Sequence, residues 1–210
     1  MKNFIWLGAI ILIIGALFLF GNNTSSIEPP FEVGVIHPLD YVKGSASSSV
    51  ILMEYSDFQC PACRAYYPVV REIMAEFGDR VTLVYRNFPL VSIHANAEFA
   101  AMAAEAARKQ GKFWEMHDLL FEKQNEWANV ADVVPMFQSY ADLIGISSDQ
   151  FKTDFLSKEV KSFVRAQRAH AVKAGLQGTP SFFLNGKQIV NPNSADEFKQ
   201  IIRNALSSAQ

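Results

Sequence analysis

The chain has 210 residues, of which half are hydrophobic and 12% are aromatic, and its formal net charge is −2. This length and composition allow a packed core in one ordinary domain, or in one domain that carries an insertion. The small net charge, with basic residues scattered along the sequence, argues against a nucleic-acid groove, so we predict no nucleic-acid partner.

The first 21 residues form an apolar segment that differs from the rest of the chain. The run from Phe4 to Phe20 carries no charged residue, and as a helix it would span roughly 25 Å, close to the ~30 Å core of a bilayer. We interpret residues 1–21 as an uncleaved transmembrane anchor, because the run ends in bulky residues; a cleaved signal peptide is the alternative. Lys2 precedes the run and the next positive side chain is Lys43, so the positive-inside rule predicts an extracytoplasmic domain.

Residues 22–45 are predicted to be a tether, because the stretch is polar at first and contains a Pro-Pro pair. The apolar run from Val50 to Ser56 then predicts a buried strand. The sequence from Arg64 to Phe77 predicts a helix, which Pro68 is expected to kink by removing one backbone hydrogen bond. A strand, a tight turn and a helix therefore follow one another at the start of the folded domain.

The remaining chain alternates between sheet and helix. Val81–Asn87 is predicted to be a second core strand. The stretch from Ala95 to about Ala174 predicts a series of helices, which we interpret as an insertion between two pieces of sheet. Two short strands follow, joined by an Asn-Gly turn that is a strong hairpin signal, and a last amphipathic helix ends the chain. The predicted hairpin comprises Ser181–Leu184, Asn185-Gly186 and Lys187–Val190.

Cys60 and Cys63 are the only cysteines, and they lie at the predicted start of the first helix. One Cys-x-x-Cys pair supplies only half of a structural zinc site, and the four histidines are scattered, so we predict no metal. The spacing suits a reversible disulfide, because backbone N–H groups at a helix N-terminus lower the pKa of a cysteine there. Pro61 fits the first helical position. We predict that Cys60 is the exposed attacking thiol and Cys63 the shielded resolving thiol.

Two further features accompany the cysteines. Glu54 lies within the buried strand, where it either faces outward as a surface acid or points beneath Cys63. In the second case burial would raise its pKa and let it relay the proton that Cys63 must lose. Thr179-Pro180 leads into a strand, where a cis-proline would leave the preceding backbone free to pair with a bound peptide. A trans loop proline is the commoner case, and only the pairing with Cys-x-x-Cys favours cis.

Four stretches, taken together, resemble the DsbA-like branch of the thioredoxin superfamily: Glu54–Cys63, Tyr85–Leu90, Gln110–His117 and Gly178–Gly186. The resemblance covers roughly Leu39 to Ala205. It implies a thioredoxin fold made from residues 46–94 and 175–210, interrupted by a helical domain over residues 95–174. The predicted fold class is therefore α/β, a thioredoxin fold with a helical insertion, preceded by one N-terminal transmembrane helix.

The same resemblance assigns roles to single residues. It implies that Cys60 attacks, that Cys63 resolves, that Pro180 is a cis-proline and that Glu54 is the buried acid. With Thr179 and Pro180, the dipeptide between the cysteines is assigned to substrate binding. That dipeptide, Pro61-Ala62, departs from the Pro-His of the strongly oxidising enterobacterial enzyme, which implies a less extreme thiol pKa and reduction potential.

The predicted function is an extracytoplasmic thiol–disulfide oxidoreductase, which exchanges a Cys60–Cys63 disulfide with the cysteines of folding proteins and acts as their oxidant. Cysteine-containing proteins are the predicted substrates, and no cofactor is expected beyond the redox-active disulfide. The resemblance implies reoxidation by a quinone-linked membrane partner. A reductase or isomerase, a tethered peptide-binding chaperone and a redox sensor are the alternatives.

Overall fold

The computed structural model describes residues 31–209, and a five-stranded sheet lies at their centre. The strands are β1 (Tyr41–Gly44), β2 (Ile51–Ser56), β3 (Thr82–Asn87), β4 (Ser181–Leu184) and β5 (Lys187–Gln188). The helices are α1 (Pro61–Phe77), α2 (Ala97–Arg108), α3 (Phe113–Glu122), α4 (Gln124–Trp127), α5 (Val134–Leu143), α6 (Ser148–Phe155), α7 (Lys158–Lys173) and α8 (Ala195–Ser208). The predicted anchor over residues 1–21 lies outside the described residues. Within residues 31–209, no helix is long and apolar enough to cross a membrane.

The sheet has the strand order β1-β3-β2-β4-β5, and β2 occupies its centre. β2 runs parallel to β3 and antiparallel to β4. Because successive side chains of a strand point to opposite faces, Glu54 and Ser56 share one face of β2, and Tyr55 lies on the other. Glu54 pairs with Tyr85 on β3 and with Phe182 on β4. The centre of the sheet thus directs an acid and a hydroxyl towards one side.

Both faces of the sheet are covered by apolar side chains. On one face, β2 and β3 pack against α1 and α8; the buried members of this cluster include Leu52, Val70, Ile73, Phe77, Phe198 and Ile202. On the opposite face a second cluster includes Met53, Tyr55, Val84, Ala171, Leu176 and Phe183. Two covered faces explain why almost every β2 residue is buried, as expected of a strand at the centre of an α/β sheet.

The insertion between β3 and β4 consists of α2 to α7, and its apolar core is continuous with buried residues of β1, β3 and α1. Its central element is α2, which contacts α3, α5, α6 and α7. Seven alanines of this helix are buried, and their small side chains allow several helices to approach one axis. Large aromatic residues from the other helices fill the remaining space, among them Trp127, Phe137 and Phe155. The prediction of a thioredoxin fold with a helical insertion is confirmed.

The prediction that residues 22–45 form a tether is wrong for the described part of that stretch. β1 pairs with β3 in antiparallel register, so it belongs to the sheet. The segment before β1 is held by the buried Arg86, whose guanidinium donates hydrogen bonds to the carbonyl oxygens of Glu32 (2.8 Å) and Val35 (2.7 Å) and to the carboxylate of Asp40 (2.7 Å). A buried guanidinium needs such partners, and they fix the segment on the domain.

Three local predictions concern the hairpin, the proline inside the first helix and the start of that helix. The hairpin turn is confirmed, since Asn185 and Gly186 both have positive φ. The second hairpin strand is shorter than predicted and ends at Gln188. Pro68 lies inside α1, which nonetheless continues to Phe77 as one helix. The first helix begins at Pro61, the residue predicted to occupy its first position, so the cysteine pair lies at its N-terminus.

Candidate active site

Cys60 stands at the N-cap of α1, where the chain turns from β2 into the helix. Pro61 and Ala62 are exposed in the first turn, whereas Cys63 is completely buried. Cys60 keeps 7% of its surface exposed, so the prediction of an exposed thiol is wrong in degree. Its sulfur lies 3.5 Å from the carbonyl oxygen of Thr179, which restricts access to one side of the thiol.

The two thiols have opposite acid strengths. The pKa of Cys60 is lowered to about 5, chiefly by a hydrogen bond from the Cys63 thiol. Partial burial of Cys60 opposes this lowering. Thr179 and the backbone N–H groups of Ala62 and Cys63 lower the pKa further. Burial raises the pKa of Cys63 well above its ordinary value. The predicted lowering at the helix start is therefore confirmed in direction, although the second thiol is its larger cause. At neutral pH the pair consists of a thiolate and a thiol.

The Thr179–Pro180 segment faces the cysteine pair across the site. The peptide bond between these residues is cis, as the resemblance implied. Among the described loops and turns, no backbone–backbone hydrogen bond uses the N–H or the C=O of Thr179. Beside Pro180 runs an open groove lined by residues of β4, β5 and the following loop: Pro180, Ser181, Gln188, Ile189, Val190 and Asn191. This arrangement leaves room for an extended peptide next to Cys60.

Glu54 points inward, so the alternative of a bland surface acid is wrong. The residue is 4% exposed, and burial raises the pKa of its carboxyl to about 7, with a small opposing effect from the Ser56 hydroxyl. The carboxyl lines a cavity of about 260 Å³ between β1, the sheet, α1 and α3. Polar and charged members of that lining are Lys43, Glu54, Tyr67, Arg71, His117 and Asp118. A carboxyl with this pKa exchanges protons readily at neutral pH.

Several residues that support the site were not singled out from the sequence. Asp57, beside the cysteines, accepts hydrogen bonds at its carboxylate from the backbone N–H of Gln59 (2.7 Å) and Leu90 (2.9 Å), and contacts His94 at 2.7 Å. Gln124 donates to the carbonyl oxygen of Cys60 (3.0 Å). Asp57 and Gln59 could have been suspected from their place in the cysteine motif. Gln124 lies far away in sequence and carries no local signal.

The structure brings together the cysteine pair, the dipeptide between the cysteines and the Thr179–Pro180 segment. Cys60, Cys63, Pro61 and Ala62 share the first turn of α1, and Thr179 contacts the pair from the opposite side. Pro180 immediately precedes β4, and Glu54 lies on β2, two residues before Ser56. Within residues 31–209, no group of three or more His, Cys, Asp or Glu side chains is arranged to hold a metal ion. Two free thiols, an acid and an open groove are the available chemistry.

A family profile described as thioredoxin matches residues 37–204. The chain belongs to the thioredoxin family. BdbD from Bacillus subtilis, in its oxidised form, superposes with a TM-score of 0.70 at 27% identity, over 80% of this chain and 93% of that one. A thioredoxin-like oxidoreductase from Silicibacter pomeroyi superposes with a TM-score of 0.66 at 26% identity, over 89% of this chain and 97% of that one. Both similarities agree with the resemblance of the sequence motifs to the DsbA-like branch of the thioredoxin superfamily.

Two other similarities are informative about fold and length. The alpha-DsbA1 of Wolbachia pipientis has the same fold, with a TM-score of 0.74 at 20% identity, over 83% of this chain and 94% of that one. Among curated proteins, the Na(+)/H(+) antiporter NhaA 3 of Salinispora tropica is 34% identical over 171 residues, which are 81% of this chain and 25% of the antiporter. The chain therefore spans about a quarter of the length of such relatives.

Proposed function

We propose that this protein oxidises the cysteines of folding proteins outside the cytoplasm. In this proposal a substrate thiolate attacks the Cys60 sulfur of the Cys60–Cys63 disulfide, and a mixed disulfide forms. The second substrate thiol then releases Cys60, so that the substrate leaves with a disulfide and the enzyme with two thiols. Two electrons pass from the substrate to the enzyme, and the protein needs no cofactor beyond its own disulfide.

The observation that carries this direction is the pKa of about 5 at Cys60. A stabilised thiolate favours the reduced form of the pair, and a pair with a favoured reduced form is an oxidant towards ordinary thiols. A thiolate of low pKa is also a good leaving group when the second substrate thiol attacks. Both effects favour disulfide donation over reduction.

The groove beside Pro180 is proposed as the site of the substrate chain. Thr179 offers an N–H that no backbone carbonyl of the described loops takes up, and Val190 keeps 89% of its surface exposed at the groove. An extended peptide can pair with the Thr179 backbone, as peptides do at open sheet edges, and bring its cysteine to Cys60. Pro61 and Ala62 would contact the peptide from the helix side.

Location and recycling also belong to the proposal. The charge distribution of residues 1–21 supports an anchor with the domain outside the cytoplasm, where disulfides persist. Turnover requires an oxidant for the reduced Cys60–Cys63 pair, and we assign this role to a quinone-linked membrane partner. Full-length protein in membranes that contain quinone should return to the disulfide form, whereas a variant that lacks residues 1–21 should do so more slowly.

Two measurements test the proposed activity. Oxidised wild-type protein should convert a reduced two-cysteine peptide to its disulfide, and Cys60→Ser should abolish this oxidation while leaving peptide affinity unchanged. Retained oxidation would contradict the assignment.

Equilibration of the protein with glutathione gives the reduction potential of the Cys60–Cys63 pair. We expect a value between about −120 mV, typical of strong oxidants, and about −270 mV, typical of reductants, on the oxidising side. A potential below about −250 mV would instead support a reductase.

A further inference from the structure

Three buried hydroxyl groups near Cys63 lack a hydrogen-bond partner of normal geometry among the described residues: Ser56 Oγ, Tyr85 Oη and Thr179 Oγ1. Ser56 is 1% exposed and Tyr85 is completely buried. A buried polar group without a partner costs about 1–3 kcal/mol. Three such groups around one sulfur therefore indicate that this polar pocket serves the chemistry of the thiol.

Ser56 has a position that the other two hydroxyls do not share. It follows Glu54 by two residues on β2, so both side chains point to the same face of the sheet. The next residue, Asp57, places its backbone N–H 3.5 Å from the Cys63 sulfur. The Ser56 hydroxyl is close enough to lower the pKa of both Glu54 and Cys63, yet it forms a well-aligned hydrogen bond with neither. It is free to turn between them.

The surroundings of Ser56 offer few groups that could take up a proton. Tyr85 faces it from β3, and burial raises the pKa of the Tyr85 hydroxyl well above its ordinary value, so this phenol does not titrate near neutral pH. The charged groups whose fields reach Tyr85 are Glu54, Asp57 and Cys63. Of these, Glu54 has a carboxyl whose pKa of about 7 allows it to give and take a proton at neutral pH.

On the basis of the disulfide exchange proposed above, we propose that the Ser56 hydroxyl carries the proton between the Glu54 carboxyl and the Cys63 sulfur. When a substrate thiolate attacks Cys60, the Cys60–Cys63 bond breaks and its electron pair stays on Cys63. Ser56 gives its hydroxyl proton to that sulfur and takes the proton of the Glu54 carboxyl. Cys63 becomes a thiol, Glu54 becomes a carboxylate, and Ser56 is unchanged. The reverse transfer makes the Cys63 thiolate when it resolves a mixed disulfide.

Glu54 must then recover its proton from solvent. Its carboxyl lines the cavity described above, and two other lining residues, Arg71 and Asp118, keep 58% and 33% of their side chains exposed. A cavity of about 260 Å³ that has several polar and charged side chains in its lining is large enough to admit water. Ser56 therefore links a fully buried sulfur to an acid that communicates with solvent.

The experiment isolates the step in which Cys63 acts. A mixed disulfide between Cys60 and glutathione is prepared in the full-length protein, and its resolution by Cys63 is followed by rapid mixing and acid quench. Ser56→Ala should slow resolution of the mixed disulfide about tenfold. Glu54→Gln, which removes the carboxyl itself, should slow the same step by ~10²-fold. The doubly substituted protein should be no slower than Glu54→Gln alone, because both residues act on one proton. Thr82→Val, which removes a buried hydroxyl at the far end of β3, is the matched control and should leave the rate unchanged.

The solvent isotope effect provides a test that needs no substitution. If Ser56 relays the proton, two protons move in one step, and the wild-type resolution rate should depend on the deuterium fraction of the solvent along a bowed curve. A straight line, or a Ser56→Ala rate equal to that of the wild type, would overturn the relay. Failure of the wild-type protein to form or resolve the mixed disulfide would instead overturn the proposed function, so the two failures are distinguishable.

Discussion

Glu54 and Glu105 are two fully buried glutamates with the same acid strength and different surroundings. Burial raises the pKa of each to about 7. Glu105 accepts hydrogen bonds from the hydroxyl of Tyr41, from the amide of Asn87 (2.8 Å) and from the guanidinium of Arg108 (3.3 Å). The only hydrogen-bonding neighbour that affects the pKa of Glu54, among the described residues, is the Ser56 hydroxyl.

The difference shows that a raised pKa does not by itself identify a catalytic acid. Glu105 lies where α2 meets β1 and β3, and its satisfied carboxyl joins the helical insertion to the sheet. Glu54 faces a cavity and shares its side of β2 with Ser56, and no other hydrogen-bonding side chain of the described residues affects its carboxyl. A buried acid that is fully hydrogen-bonded supports the fold, whereas one left unsatisfied beside a nucleophile can move a proton.

Replacement of each acid by alanine should separate the two roles most clearly. At a pH near 5, where both carboxyls are protonated, Glu105→Ala should lower the free energy of unfolding by about 3 kcal/mol, because it leaves the Tyr41 hydroxyl and the Asn87 amide without their acceptor. Glu54→Ala should cost about 1 kcal/mol, since its carboxyl borders a cavity and holds no such network. Denaturant unfolding measures both values. Equal losses would remove the distinction between the two sites.

The pH dependence of stability should reveal what the two acids share. An acid whose pKa rises from 4.5 to about 7 on folding binds a proton more tightly in the native state. The stability that this proton binding gives to the native state is fully present below pH ~4.5 and is lost as the pH rises through ~7. The free energy of unfolding changes by about 3 kcal/mol for each group. Glu54→Gln and Glu105→Gln should each flatten the wild-type profile between these values by a similar amount. A variant profile parallel to that of the wild type would contradict a raised pKa at that residue.

The catalytic step should distinguish the same two variants. Glu54→Gln removes the proton acceptor for Cys63, so resolution of the mixed disulfide at neutral pH should slow by about 10²-fold. Glu105→Gln lies in the contact between the insertion and the sheet, and the rate for its folded fraction should stay within about twofold of the wild type, an effect below ~0.5 kcal/mol. Quenched mixing of the glutathione mixed disulfide gives both rates. A slow Glu105→Gln protein would link this cluster to the chemistry after all.

Local sequence signals predicted the parts of the fold and site that depend on neighbouring residues. The strand before Cys60, the helix start at Pro61 and the Asn185-Gly186 turn each follow from the preferences of a few adjacent positions. The cis form of Thr179–Pro180 did not, because a trans proline is the commoner case in a loop and only the pairing with Cys-x-x-Cys favoured cis. Glu54 likewise had two possible orientations until its neighbours in the sheet were known.

The features that were missed depend on contacts between distant parts of the chain. Arg86 is a charged residue in a strand, a pattern typical of an exposed edge, yet it is buried and holds Glu32 to Asp40 on the domain. Gln124 reaches the carbonyl of Cys60 from another helix. Such contacts leave no periodic pattern in sequence, because each depends on how the helical insertion and the N-terminal segment pack against the sheet.

The difference in acid strength between Cys60 and Cys63 carries the whole account, and a pH titration of the reactive thiol tests it most directly. The alkylation rate and the ultraviolet thiolate absorbance of the reduced protein should both give a midpoint near pH 5 for Cys60, with Cys63 protonated throughout. Cys63→Ala should move the midpoint upward, because the hydrogen bond from Cys63 is the largest cause of the lowered pKa. A wild-type midpoint at or above ~8.5, the value of an ordinary thiol, would contradict a thiolate at Cys60 and with it the proposed disulfide donor.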